Sequence, residues 1–151
     1  MRNLTMMTDL YQLTMMYGYF KHGMAENEAV FDLFFRKNQD NSAYAVMAGT
    51  ESVVDYINNL HFAPEDISYL RSLNLFDEDF LGYLSRLRFT GEIYAMPEGT
   101  VVFPSEPLVR VRAPIMEAQL VETALLNLVN HQTLIATKAS RVVYALSLIH
   151  I

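Results

Sequence analysis

The chain has 151 residues, no cysteine and a formal net charge of −6, with 52% apolar and 19% charged residues. The length and apolar content suit one domain with a real core, and the missing cysteine excludes disulfide staples and thiolate metal sites. The acidic balance argues against nucleic acid as the main partner, because phosphate backbones need a basic surface, and the low charged fraction points to a face covered by another domain or subunit.

Asp9 and Gln12 interrupt the first apolar run, so no signal peptide is read there. Every other apolar run is broken before it reaches the length of a membrane span, and the expected location is cytoplasmic. The spacing predicts a first helix over 8–21, capped by Thr5 or Thr8, ended by Gly23, with Leu10, Leu13, Tyr17 and Phe20 inward. An aromatic-rich strand follows over 29–35, then a polar turn, KNQDNS. Residues 43–48 read as a second strand or short buried segment, and Gly49 breaks it. Thr50 is expected to cap a helix running to Asn59, with Val53, Val54, Ile57 and Leu60 inward.

Pro64 opens the next predicted helix, with Ile67, Leu70 and Leu73 as its buried stripe. Asp77 caps another, burying Phe80, Leu81, Leu84 and Leu87. The period then changes to strands at 92–96, 100–103 and 108–112, read as an antiparallel meander with Arg110 and Arg112 on its exposed face. Gly99 is expected to supply a positive φ in the Pro-Glu-Gly turn. Helices return over 117–130, apolar nearly all round, and from Leu134 to about Ala145. The fold class is therefore α+β, helices flanking a small, mostly antiparallel sheet. The tail LSLIHI has little helical patterning, so 146–151 are expected to be a non-native tail.

No self-contained catalytic motif is present, and His22, His61, His131 and His150 lack metal-ligand spacing, so no metal site is expected. The residues taken alone identify an α+β domain and leave a small-ligand or protein-binding role open. Four segments in order change this: TDLYQLTMMYGYF (8–20), AVFDLFFRKN (29–38), YAMPEGTVVFPSEPLVRV (94–111) and LVETALLNLVNHQTLIATKASRVV (120–143). Together they resemble the N-terminal part of the nicotinate phosphoribosyltransferase family. Nicotinamide and quinolinate phosphoribosyltransferases are the alternatives.

The resemblance implies an N-terminal α+β domain over 1–114, packed on an α/β barrel that this chain does not contain, with 115–145 as the helical lead into it. It implies a homodimer that joins nicotinate to phosphoribosyl pyrophosphate, with ATP and Mg²⁺ as cofactors and no nucleic-acid or membrane partner. This chain alone is expected to be inactive, since the family's phosphorylated histidine is expected downstream and no catalytic residue is assigned here. Tyr11 is implied to stack on the pyridine ring across the dimer interface, and an aromatic face suits that task. Arg36 is implied to bind phosphate, for which a guanidinium fork is suited; Lys37 is read as a plain surface charge. Weaker candidates are Asp9, which either orients the helix of Tyr11 or a ligand hydroxyl or only stabilises the helix N-terminus by its charge, and Thr137, Lys138 and Arg141. The last two share a helix face that either forms an anion site or is simply solvated.

Overall fold

The computed structural model describes residues 3–37 and 43–149. In chain order the elements are α1 (Leu10–Lys21), β1 (Glu28–Leu33), β2 (Ala45–Val46), α2 (Thr50–Asn58), α3 (Pro64–Ser72) and α4 (Glu78–Arg86). They continue as β3 (Glu92–Ala95), β4 (Val101–Val102), β5 (Val109–Pro114), α5 (Ile115–Leu120) and α6 (Glu122–Ile149). Five residues of the KNQDNS turn, 38–42, lie outside the described residues, as do the last two of the tail. No helix among the described residues is long and apolar enough to cross a membrane.

The architecture is α+β with antiparallel pairing, but the three later strands do not form a meander. β5 is the central strand of a sheet ordered β1-β5-β3, pairing Phe31 with Val111 on one side and Ile93 with Val111 on the other. β4 leaves that sheet and pairs with β2 instead, Val102 opposite Ala45. The reason lies in the turns that flank it. Thr100 N–H donates to Pro97 O at 3.2 Å, Gly99 sits at φ +83°, and Gly99 N–H then donates to Met47 O at 2.8 Å. The Pro-Glu-Gly turn thus aims the strand away from β3 and towards the second strand.

β5 follows the alternation of its sequence. Val109, Val111 and Ala113 are buried, while Arg110 and Arg112 stay exposed. Arg110 forks onto Asp32 at 2.7 and 2.8 Å, and Arg112 pairs with Glu28 at 2.9 Å. Under the helical layer Tyr17, Phe20, Phe76, Phe80 and Tyr83 form an aromatic cluster, with ring centroids 5.1–5.6 Å apart. Such spacings add to plain area burial.

Several expected caps and faces shift. α1 starts at Leu10 with Asp9 as its N-cap, not Thr5 or Thr8, and Leu10 is exposed while Gln12 and Met16 are buried. α2 is preceded by Gly49 at φ +110°, so Thr50 is not the cap. The Glu98 carboxylate reaches over to take the N–H groups of Gly49, at 2.9 Å, and Glu51, at 3.3 Å. A Cβ on Gly49 would lie 3.0 Å from Leu128 O, so glycine lets this end approach α6. In α2 it is Tyr56 and not Val54 that turns inward.

The break between the last helices falls at Val121 instead of near residue 132. The helix passes through His131, Gln132 and Thr133 unbroken, since none of them is Gly or Pro, and the Thr133 hydroxyl bonds the backbone of Ala48. α6 also continues past Ala145 to Ile149, because Leu, Ser and Ile carry no helix-breaking penalty comparable to Gly or Pro. α5 is buried along most of its length, packed between α1 and the sheet.

Candidate active site

Tyr11 stands on the solvent side of α1 and is 52% exposed. Its ring lines a cavity of about 540 Å³ with Met15, Tyr19, Phe31, Phe34 and Arg36. Phe31 comes from β1 and is half-exposed. Beyond β1 the backbone stays bonded to the segment before β5. Leu108 N–H donates to Leu33 O at 2.8 Å, and Ser105 N–H donates to Phe35 O at 2.9 Å. These bonds carry Arg36 to the end of an anchored arm.

Arg36 also lines a second cavity of about 530 Å³, shared with Lys37, His131, Lys138 and Arg141. On α6 the residues His131, Leu134, Lys138 and Arg141 recur at helical spacing and form one flank facing the arm. No carboxylate lines this basin among the described residues. Lys21, Arg71, Arg110 and Arg112 each hold a carboxylate. Arg36, Lys37, Lys138 and Arg141 do not, among the described residues. Four cations around one concavity, with no carboxylate partner among the described residues, in a chain of net charge −6, make a local positive field suited to a phosphorylated ligand.

The structure therefore brings Tyr11 and Arg36 together at one cavity, and Arg36, Thr137, Lys138 and Arg141 at the adjoining one. Thr137 differs in kind from its neighbours there. It is 5% exposed, and its hydroxyl accepts from Val46 N–H at 2.9 Å and donates to Thr133 O at 2.6 Å. The bond from Val46 fixes α6 against β2, and the one to Thr133 lies within α6. Asp9 faces α6 at the opposite end of the helix, where the Thr123 hydroxyl lies 3.2 Å from its carboxylate.

Lys37 and His131 belong to the basin although the sequence reading set both aside. The signal for Lys37 was its adjacency to Arg36. His131 had one too, since it stands seven residues before Lys138 on the same helical stripe. His22 and His61 instead bond nearby backbone carbonyls, Gly18 O at 2.8 Å and Asn59 O at 2.7 Å.

A family model described as the nicotinate phosphoribosyltransferase (NAPRTase) N-terminal domain matches residues 6–130. The chain belongs to this family. The nicotinate phosphoribosyltransferase of Bacillus subtilis (strain 168) is 51% identical over 140 residues, a match that covers 93% of this chain and 29% of that protein. Nicotinate phosphoribosyltransferase 1 of Arabidopsis thaliana is 43% identical over 138 residues, covering 90% of this chain and 25% of that protein. The crystal structure of human nicotinic acid phosphoribosyltransferase superposes with a TM-score of 0.83 at 38% identity, covering 89% of this chain and 27% of that one. Nicotinate-nucleotide pyrophosphorylase from Pyrococcus furiosus has a TM-score of 0.58 at 20% identity over 84% of this chain and 25% of that one, and shares the fold alone. The chain thus spans less than a third of the length of these NAPRTase relatives.

Proposed function

We propose that this chain acts as the N-terminal part of a nicotinate phosphoribosyltransferase, which forms nicotinate mononucleotide and pyrophosphate from nicotinate and phosphoribosyl pyrophosphate, coupled to ATP hydrolysis. The observation that carries the proposal is Arg36, shared between an aromatic cavity containing Tyr11 and a basin of cations. The reaction needs a flat pyridine held against an anomeric carbon, and positive charge where pyrophosphate departs. Tyr11 offers a face for the ring. Arg36, Lys138 and Arg141, with Lys37, offer charge for phosphate oxygens. Asp9 and Thr137 hold the helices that carry these groups.

The basin's donors fit phosphate oxygens of phosphoribosyl pyrophosphate or ATP. They do not fit a divalent cation, which needs oxygen ligands. In this reading Mg²⁺ would be carried by the phosphate oxygens of the substrate and of ATP. The histidine that couples ATP is placed in a barrel domain outside this chain. Residues 1–114 are read as the N-terminal domain and 115–145 as the lead into the barrel. Ile135, Val142 and Leu146, exposed on one side of α6, support such a docking face. The working form is read as a cytoplasmic homodimer with Tyr11 reaching into the partner's site, and the half-exposure of its ring suits a ligand shared between subunits.

The test uses a chimaera in which this chain replaces the matching segment of the Bacillus subtilis relative. Tyr11→Ala is expected to raise the nicotinate KM about tenfold, while Tyr11→Phe keeps it. Arg36→Gln and Lys138→Gln are expected to raise the phosphoribosyl pyrophosphate KM, more strongly at low salt. Unchanged values for both substrates would refute the assignment.

A further inference from the structure

Gln12 follows Tyr11 in α1, and its side chain is fully buried. A leucine would fill that volume without the cost of burying an amide. The amide is instead satisfied on both sides. Its Nε2 donates to Glu122 Oε2 at 2.7 Å. Its Oε1 accepts from the Thr8 hydroxyl, lies 3.1 Å from the Thr123 hydroxyl and lies 3.4 Å from Asp9 N–H. The Thr123 hydroxyl also reaches Asp9 Oδ2 at 3.2 Å and serves one acceptor at a time. The first turn of α1 is therefore tied to the first turn of α6 by directional bonds, across more than 100 residues of sequence.

Directional bonds fix a register that apolar packing leaves free to slide. The Tyr11 ring has no such anchor. Its backbone oxygen accepts from the Thr14 hydroxyl at 2.9 Å, and its phenol has no hydrogen-bond partner among the described residues. Its place at the cavity mouth is set by the helix beneath it, and Glu122 lines the same cavity wall. We propose that Gln12, through Glu122 and Thr123, is a positioning residue that holds Tyr11 in register with the aromatic cavity. The inference rests on the assignment of Tyr11 to the pyridine ring.

The test is carried out in the same chimaera, with nicotinate and phosphoribosyl pyrophosphate kinetics and melting temperature measured for each variant. Gln12→Leu and Glu122→Leu are expected to raise the nicotinate KM about tenfold, with kcat and the KM for phosphoribosyl pyrophosphate held within about twofold. Glu122→Gln, whose amide oxygen still accepts from Gln12, is expected to restore the nicotinate KM. Thr123→Val, nearly isosteric, decides the matter should the leucine variants fail to fold, and is expected to raise the same KM by a smaller factor. A lowered melting temperature with an unchanged nicotinate KM overturns the proposal, as does Glu122→Gln behaving like Glu122→Leu. Tyr11→Ala separates the two readings. No effect there removes the aromatic assignment itself, whereas an effect at Tyr11 with none at Gln12 or Thr123 removes the latch alone.

Discussion

Glu117 shows how a single side chain in this fold trades charge for order. It lies in α5 and is 5% exposed, and its carboxylate takes the Thr90 N–H at 2.6 Å and the Thr90 hydroxyl at 3.0 Å. Burial pushes its pKa above the ordinary 4.5, Glu26 nearby pushes the same way, and the Thr90 bonds pull part of the shift back. A carboxyl raised in the folded state binds more protons folded than unfolded between the two values. Its contribution to stability is therefore full below pH 4.5, the ordinary value, and is lost as pH rises through the folded value. At neutral pH the charge is a burden. Glu117→Gln keeps an oxygen for Thr90 and removes that charge, so its melting temperature at pH 7 is expected to exceed that of the unaltered protein. The difference should shrink as pH falls towards the ordinary carboxylate range, as thermal unfolding followed by circular dichroism at several pH values would show. A lower melting temperature at pH 7 would mean that the charged hydrogen bonds outweigh burial. The basin side chains follow another logic, since Arg36, Lys37, Lys138 and Arg141 have no carboxylate partner among the described residues.

Among the elements, β3 depends on a glycine that its sequence does not advertise. A Cβ on Gly91 would overlap the Ala113 side chain and come within 2.5 Å of Arg112 O, in the strand that β3 pairs with. Gly91→Ala must push β3 off β5, and the expected cost is about 1–3 kcal/mol by analogy with overpacked cores. Denaturant unfolding measures it, and a loss near zero would show that the strand edge yields freely. The sequence made the strands and most helices legible because their periods are clean. Phe80, Leu81 and Leu84, and the alternation of Val109 and Val111 with Arg110 and Arg112, needed only spacing. Pairing was not legible, because β2 and β4 contribute two residues each and carry no register signal of their own. Nor was the Glu98 cap on α2, since a side chain that caps a helix from 47–49 residues away leaves no local pattern. At the site, Tyr11 and Arg36 stood out through the family resemblance. Gln12 did not, because a polar residue on an amphipathic helix reads as solvent-facing until the fold puts Glu122 and Thr123 beside it.

For the whole molecule, the described surface has the character of one part of a larger assembly. Tyr11, Met15, Phe31 and Phe34 are exposed around the aromatic cavity, and Ile135, Val142, Val143, Tyr144 and Leu146 along α6. Exposed apolar area on this scale marks surfaces that meet another domain or subunit. This agrees with a chain that spans 29% of its Bacillus subtilis relative. Activity is therefore expected only when this segment is joined to the remaining domains. The chain by itself should give no nicotinate mononucleotide. The most direct test of the central claim is product formation by the Bacillus subtilis chimaera, with nicotinate and nicotinamide offered side by side in the presence of phosphoribosyl pyrophosphate and ATP. Formation of nicotinate mononucleotide with no turnover of nicotinamide is the expected result. A soluble chimaera that consumes nicotinamide and leaves nicotinate untouched would contradict it.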